Sequence, residues 1–132
     1  MTLPHPSAAL SDRQIEAVLY LADRMAFTDR QISAPERGMV DLLARQAGRA
    51  GFREQDWYQR LSDDGACERL NTSGARQAAM LVMGLVLRSD LKQRAEECAY
   101  YREINAKLGS AAVTFPPDLD EHRRQAMAAM GR

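Results

Sequence analysis

Along most of this chain apolar residues recur at three- and four-residue intervals, the spacing that lines one face of an α-helix. The first such stripe is Ile15, Val18, Leu19, Ala22, Met25 and Ala26, and Ser11 before it is a residue type that caps helix starts. The stretch 27–31, FTDRQ, interrupts the pattern. Ser33 with Glu36 three residues later then forms a capping-box signature, with Pro35 tolerated in a first turn, and predicts a second helix. That helix carries Met39, Val40, Leu43, Ala47 and Ala50 inward and is expected to stop near Gly51. Residues 53–65, REQDWYQRLSDDG, predict a short third helix anchored by Trp57 and Leu61, one turn apart, and ended by an Asp-Asp-Gly turn. A further short turn of helix is expected over 66–70.

Residues 78–87, AAMLVMGLVL, leave no wide polar face, so this helix is expected at the centre of a bundle, capped by Asn71, Thr72 or Ser73 and ending near Ser89. A helix over 91–109 follows, with Cys98, Tyr101, Ile104 and Leu108 on one stripe and Gly109 as its stop. Pro116 and Pro117 forbid continuation. Beyond them Asp118 or Asp120 caps a last helix with a narrower apolar face of Leu119, Ala126, Met127 and Met130. The fold class this predicts is all-α: a compact bundle of about seven helices, built from two helical-hairpin-like halves around a buried central helix. The organisation it predicts is a flexible lead over 1–10, a helical domain over 11–109, and a Pro-containing linker with an amphipathic helix over 110–132.

Composition narrows the function classes. A chain of 132 residues is long enough to bury one core without disulfides or a structural metal. Its 18 basic and 18 acidic side chains cancel, so it lacks the excess positive charge that drives binding to phosphate backbones, and nucleic acid is not an expected partner. The apolar run 78–87 is about half the length that crosses a bilayer, and the N-terminal MTLPHPSAAL lacks the cationic stretch and apolar segment of a signal peptide. A cytoplasmic location without a membrane anchor follows as the expectation. Cys67 and Cys98 have neither C-x-x-C spacing nor histidines nearby, so buried thiols are preferred over a zinc or redox site. No nucleophile elbow, phosphate loop or metal-ligand histidine set is present, which disfavours an enzyme, and no cofactor is expected. His5 in the lead and His122 in the last helix are read as surface histidines.

Two stretches 61 residues apart share a layout of helix, Asp, six residues, Glu, and a second helix ending in Gly. One is DRQISAPE, from Asp29 to Glu36; the other is DLKQRAEE, from Asp90 to Glu97. Each Asp falls in a loop and each Glu in the opening turn of the next helix, where the dipole favours a negative charge. Asp29, Ile32, Ser33 and Glu36 match position by position the acidic loop, Ile or Val, Ser and helix-opening Glu of the TerB-like domains. The chain resembles that family, which also takes in the DjlA N-terminal-like domains. Arg30 stands where the family usually has Gly, and Gln93 and Arg94 replace the Ile and Ser in the second copy. The resemblance covers roughly 15–109. It implies a seven-helix bundle with acidic surface clusters, in a family associated with tellurite resistance, phage defence and chemical stress, and with fusions to J-domain co-chaperones.

Asp29, Glu36, Asp90 and Glu97 are therefore the candidate acidic binding surface, at one end of the bundle, for a protein partner or, at most, weak divalent cations. Four carboxylates would suit calcium or magnesium. The preferred reading makes the glutamates helix-start residues and the aspartates loop residues. An EF-hand is excluded because Ala34 takes the glycine place and Val40 the closing-acid place, and in the second loop Lys92 and Arg94 would repel an ion. Arg45, Arg49 and Arg53 recur every four residues, as a solvated basic face near a helix end would. The function expected is that of a non-enzymatic bacterial stress-response module, a monomer or weak homodimer. Its alternative is a co-chaperone-like or scaffold protein that uses the Met-rich last helix as its interaction surface.

Overall fold

The computed structural model describes residues 10–27, 34–89, 95–109 and 113–131. Among them it is all helical: α1 (Asp12–Ala26), α2 (Ala34–Gln46), a 3-10 turn (Phe52–Glu54), α3 (Asp56–Arg60), α4 (Asp63–Arg69), α5 (Ser73–Ser89), α6 (Ala95–Lys107) and α7 (Leu119–Met130). The two long pairs, α1 with α2 and α5 with α6, form the hairpin-like halves, and α5 packs on α1, α2, α6 and α7.

Local chemistry accounts for the helix starts. At α1 the Ser11 hydroxyl accepts from the Gln14 amide at 3.1 Å while the Ser11 amide donates to Gln14 Oε1 at 3.0 Å, a complete capping box. Ser62 Oγ accepts from the Gly65 amide at 3.0 Å to open α4, and Thr72 Oγ1 accepts from the Ala75 amide at 3.1 Å to open α5. Asp118 caps α7. The expected Asp-Asp-Gly turn is thus corrected: with Ser62 as cap, Asp63 and Asp64 sit in a first helical turn, where their charge is favoured. α2 also stops earlier than expected. Gly48, at φ 72°, takes the left-handed conformation just past its end, and Ala50 is exposed rather than inward.

The core is centred on α5 as expected, with Met80, Val82, Met83, Leu85 and Val86 fully buried. At roughly 1.5–3 kcal/mol per large side chain removed from water, this helix contributes a large share of the stabilisation. α1 is as deeply placed: Ala17, Tyr20 and Leu21 are buried in addition to its predicted stripe. α7 is docked on α5 and α2, with Ala126, Ala129 and Met130 buried and Met127 half-buried against the core. Leu119, expected on that apolar face, is instead 41% exposed.

Candidate functional site

Asp29, Ser33, Asp90 and the remaining loop residues of both acidic motifs lie outside the described residues, as do residues 1–9, His5 among them; Leu10, the last residue of the expected lead, is buried in the core. The two glutamates are described, and both are fully buried in the opening turns of α2 and α6. Glu36 and Glu97 therefore do not form an exposed acidic surface. The helix-start reading accounts for their place in the chain; packing under the helix ends turned them inward. Among the described residues no group of three or more His, Cys, Asp and Glu side chains is arranged to hold a metal ion.

The arginine row is a solvated face only in part: Arg45 is exposed, whereas Arg49 and Arg53 are half-buried and paired with acids. Arg53 Nε and Nη2 donate to Asp23 Oδ1 at 2.9 and 2.7 Å, and its Nη1 donates to Asp41 at 2.9 Å. Tyr58 Oη donates to the other oxygen of Asp23, which is only 1% exposed. The Arg53 guanidinium also lies over the Phe52 ring, 4.7 Å from its centre, and Phe52 in turn meets Trp57 and Tyr58. A buried carboxylate with three charge-matched or hydroxyl donors is satisfied, so this network fastens the 3-10 turn and α3 onto α1 and α2. Burial and Asp23 push the Tyr58 hydroxyl well above its ordinary pKa.

A second tie, at α4, does the same for α6. Tyr100 Oη donates to Asp63 at 2.8 Å, and Lys107 pairs with Asp64 at 2.8 Å. Burial raises the Tyr100 pKa far above its ordinary value, and Asp63 adds to the rise. Cys67 and Cys98 are both free and half-buried, and desolvation raises the Cys67 thiol pKa, which leaves it a poor nucleophile.

Among the described residues, an open groove lies along α1, α3 and α4. It consists of three clefts of about 530, 380 and 370 Å3. Leu61 and Arg69 are common to the first two, and Trp57 is common to the second and third, so the clefts adjoin one another. The middle cleft has a mainly apolar floor of Trp57 and Leu61 between Arg60, Arg69 and Asp56. Beneath the groove Glu16 is held between Arg69 at 3.1 Å and Arg49 at 3.6 Å, and Arg49 also reaches Asp12 at 3.3 Å. Arg13 and Arg60 on the rim are exposed and have no ion pair among the described residues. Four arginines line the groove against three acids, Glu16, Asp56 and Glu68. Sequence reasoning took Trp57 as a core anchor; it is half-buried and forms a groove wall as well.

His122 is the other group that the sequence misplaced. It is fully buried, not a surface residue. Its Nε2 lies 2.8 Å from the Leu81 carbonyl and its Nδ1 lies 3.0 Å from Arg88 Nη1. Because a guanidinium can only donate, Nδ1 must accept and Nε2 must carry the proton, which makes the ring neutral. Desolvation first, with Arg88 also contributing, lowers its pKa below the ordinary histidine value, against the upward pull of the Leu81 carbonyl.

No protein-family model, curated protein or solved structure matches the chain.

Proposed function

We propose that the chain is a non-enzymatic binding module of a bacterial stress response, and that it receives a protein partner in the groove along α1, α3 and α4. The adjacency of the three clefts, which share Trp57, Leu61 and Arg69 as walls, carries this reading. An apolar floor with a large aromatic wall and arginines at its edge has the composition of an interface centre. The excess of arginine over acid favours a segment that presents an apolar anchor flanked by carboxylates.

The polar groups of the interior support a binding role over a catalytic one. Asp23, Arg53, Tyr58, Asp63 and Tyr100 each hold one helix to another, and the tyrosine hydroxyls are pushed away from the range useful to an acid or base at neutral pH. The seven-helix architecture is the one that the TerB-like resemblance implies, and it supports the stress-response assignment; fold alone does not transfer a function. In this reading the partner surface moves from the acidic loops to the groove, since Glu36 and Glu97 face inward. The Met-rich face of α7, the alternative surface, is occupied by docking. The module works in the cytoplasm, where Cys67 and Cys98 stay thiols, as a monomer or weak homodimer.

A displayed peptide library selected on the whole protein tests this. The expected winners carry an apolar residue flanked by Asp or Glu, and their binding falls at least tenfold with Arg60→Glu or Leu61→Arg. Winners indifferent to both substitutions would refute a partner site in the groove.

A further inference from the structure

The segment 113–131 is fastened to the bundle at one small polar point. Arg88, near the end of α5, donates through Nη1 to the Pro116 carbonyl at 2.7 Å and through Nη2 to the Pro117 carbonyl at 2.9 Å. The same Nη1 donates to His122 Nδ1 at 3.0 Å. His122 in turn reaches the Leu81 carbonyl about two turns back along α5. Phe115 stacks on the imidazole with ring centres 4.8 Å apart, meets Tyr101 of α6 edge-on at 6.2 Å, and rests against Gly84. One guanidinium and one imidazole thus set the direction in which the chain leaves the linker and enters α7.

We infer that His122 is the latch of an acid-released strap: a proton on its Nδ1 frees residues 113–131 from the face of α5 and α2 that they cover. Three features of the site give protonation this effect. The new Nδ1–H points at an Arg88 N–H, so a hydrogen bond becomes a contact between two donors and two positive charges at 3.0 Å. The imidazolium is fully buried, away from water that could solvate it. It also lies at the fourth position of α7, near the positive end of the helix dipole.

Among the described residues the polar partners of the ring are Arg88 and the Leu81 carbonyl, and neither is an acid. From α5 the charged group that bears on the ring is Arg88. α2 brings the neutral Gln46 to the end of α7, at Gly131, and α6 brings Tyr101, whose pKa burial pushes up to about 12, so that it stays neutral. On α7 itself Glu121 is paired with Arg124, and Asp120 with Arg123. The neutral ring is therefore compatible with the docked strap and the charged ring is not. In the released state the ring is in water and titrates normally. Release uncovers the groove in α5 at Gly84 and Leu81 together with the buried face of α7, including Met130. The switch is independent of the groove at Trp57 and stands whether or not that groove binds a partner.

Hydrogen exchange of the full chain, read peptide by peptide and corrected for intrinsic rates, is the test. For a ring at the ordinary value of 6.5 when released and lowered when docked, the opening equilibrium of α7 should rise between pH 7.5 and 5.5, by at most about tenfold. The expected result is that α7 loses that protection while exchanging more readily than α1. His122→Gln, which keeps an amide donor for Leu81 but does not titrate, should remove the pH dependence. Exchange of α7 only together with α1, in one global step, would overturn the strap. A second measurement uses the folded wild type alone: the imidazole C–H resonance of His122, distinguished from His5 by a His5→Gln chain, should titrate below 6.5. Titration at or above 6.5 would overturn the latch.

Discussion

Gly84→Ala should destabilise the protein in the presence of Phe115 and stabilise it in its absence. A Cβ at position 84 would lie 2.3 Å from Phe115 Cζ and 2.7 and 2.8 Å from its two Cε atoms. Ordinary carbon contacts begin near 3.5 Å, so the ring must retreat by more than about 1 Å. Retreat pulls it from the stack on His122 and from the edge of Tyr101. Overpacking of this kind costs about 1–3 kcal/mol. Against it stands the gain of about 1 kcal/mol for replacing Gly by Ala inside a helix. The net expectation is a loss of up to about 2 kcal/mol in the wild-type background. In Phe115→Ala the obstruction is gone and the same substitution should gain about 1 kcal/mol. Urea unfolding of the four proteins at pH 7.5 yields the coupling directly, because each pair differs by one substitution. Equal effects of Gly84→Ala in the two backgrounds, within about 0.5 kcal/mol, would refute the direct contact between Phe115 and α5 on which the strap's entry angle depends.

Asp23→Ala should cost about 2–3 kcal/mol in urea unfolding, at or below the low end for a broken buried pair because Arg53 keeps Asp41 and is 29% exposed; a cost under about 0.5 kcal/mol would mean that the network is ornamental. Ser11→Ala should cost about 1 kcal/mol, since it removes the acceptor for the Gln14 amide, and an unchanged unfolding midpoint would place the start of α1 elsewhere. His122 is held below 6.5 when folded, so the unfolded chain binds the proton first as pH falls. Its contribution to stability is complete above pH 6.5 and declines below it by at most about 1.4 kcal/mol per pH unit, until the folded ring itself titrates. Unfolding midpoints between pH 7.5 and 5.5 should show this decline in the wild type and lack that component in His122→Gln.

The helices were legible because their signals are local. Ser11 and Gln14, the apolar stripe of α1, the run 78–87 and Gly109 all act within a turn or two of chain, and the structure places helix boundaries by them. The site residues were harder because their partners are distant in sequence. Asp23 follows Leu19 by four residues and precedes Ala26 by three, which puts a carboxylate on the buried stripe; that anomaly went unused in reading the sequence, and it does not by itself name Arg53, 30 residues on. His122 similarly stands on the stripe of Ala126 and Ala129, one turn before Ala126; that period marks a buried position, but the residue was read as a surface histidine from its type. The exposure of Glu36 and Glu97 was misjudged for the converse reason: an acid in a first turn satisfies the dipole equally well from either side of a helix, and only packing decides which. The groove at Trp57 had no signal of its own, because it arises from the angles among three helices.

Trp57 is the chain's single tryptophan, and it stands where the groove's clefts join. Its fluorescence, followed while a library-selected acidic peptide is added to saturation, reports the proposed site without a label. The emission should shift or be quenched along the same binding curve that calorimetry gives, and Arg60→Glu should move both curves together to weaker binding. Saturable binding in the calorimeter with Trp57 emission unchanged would contradict a partner site in the groove.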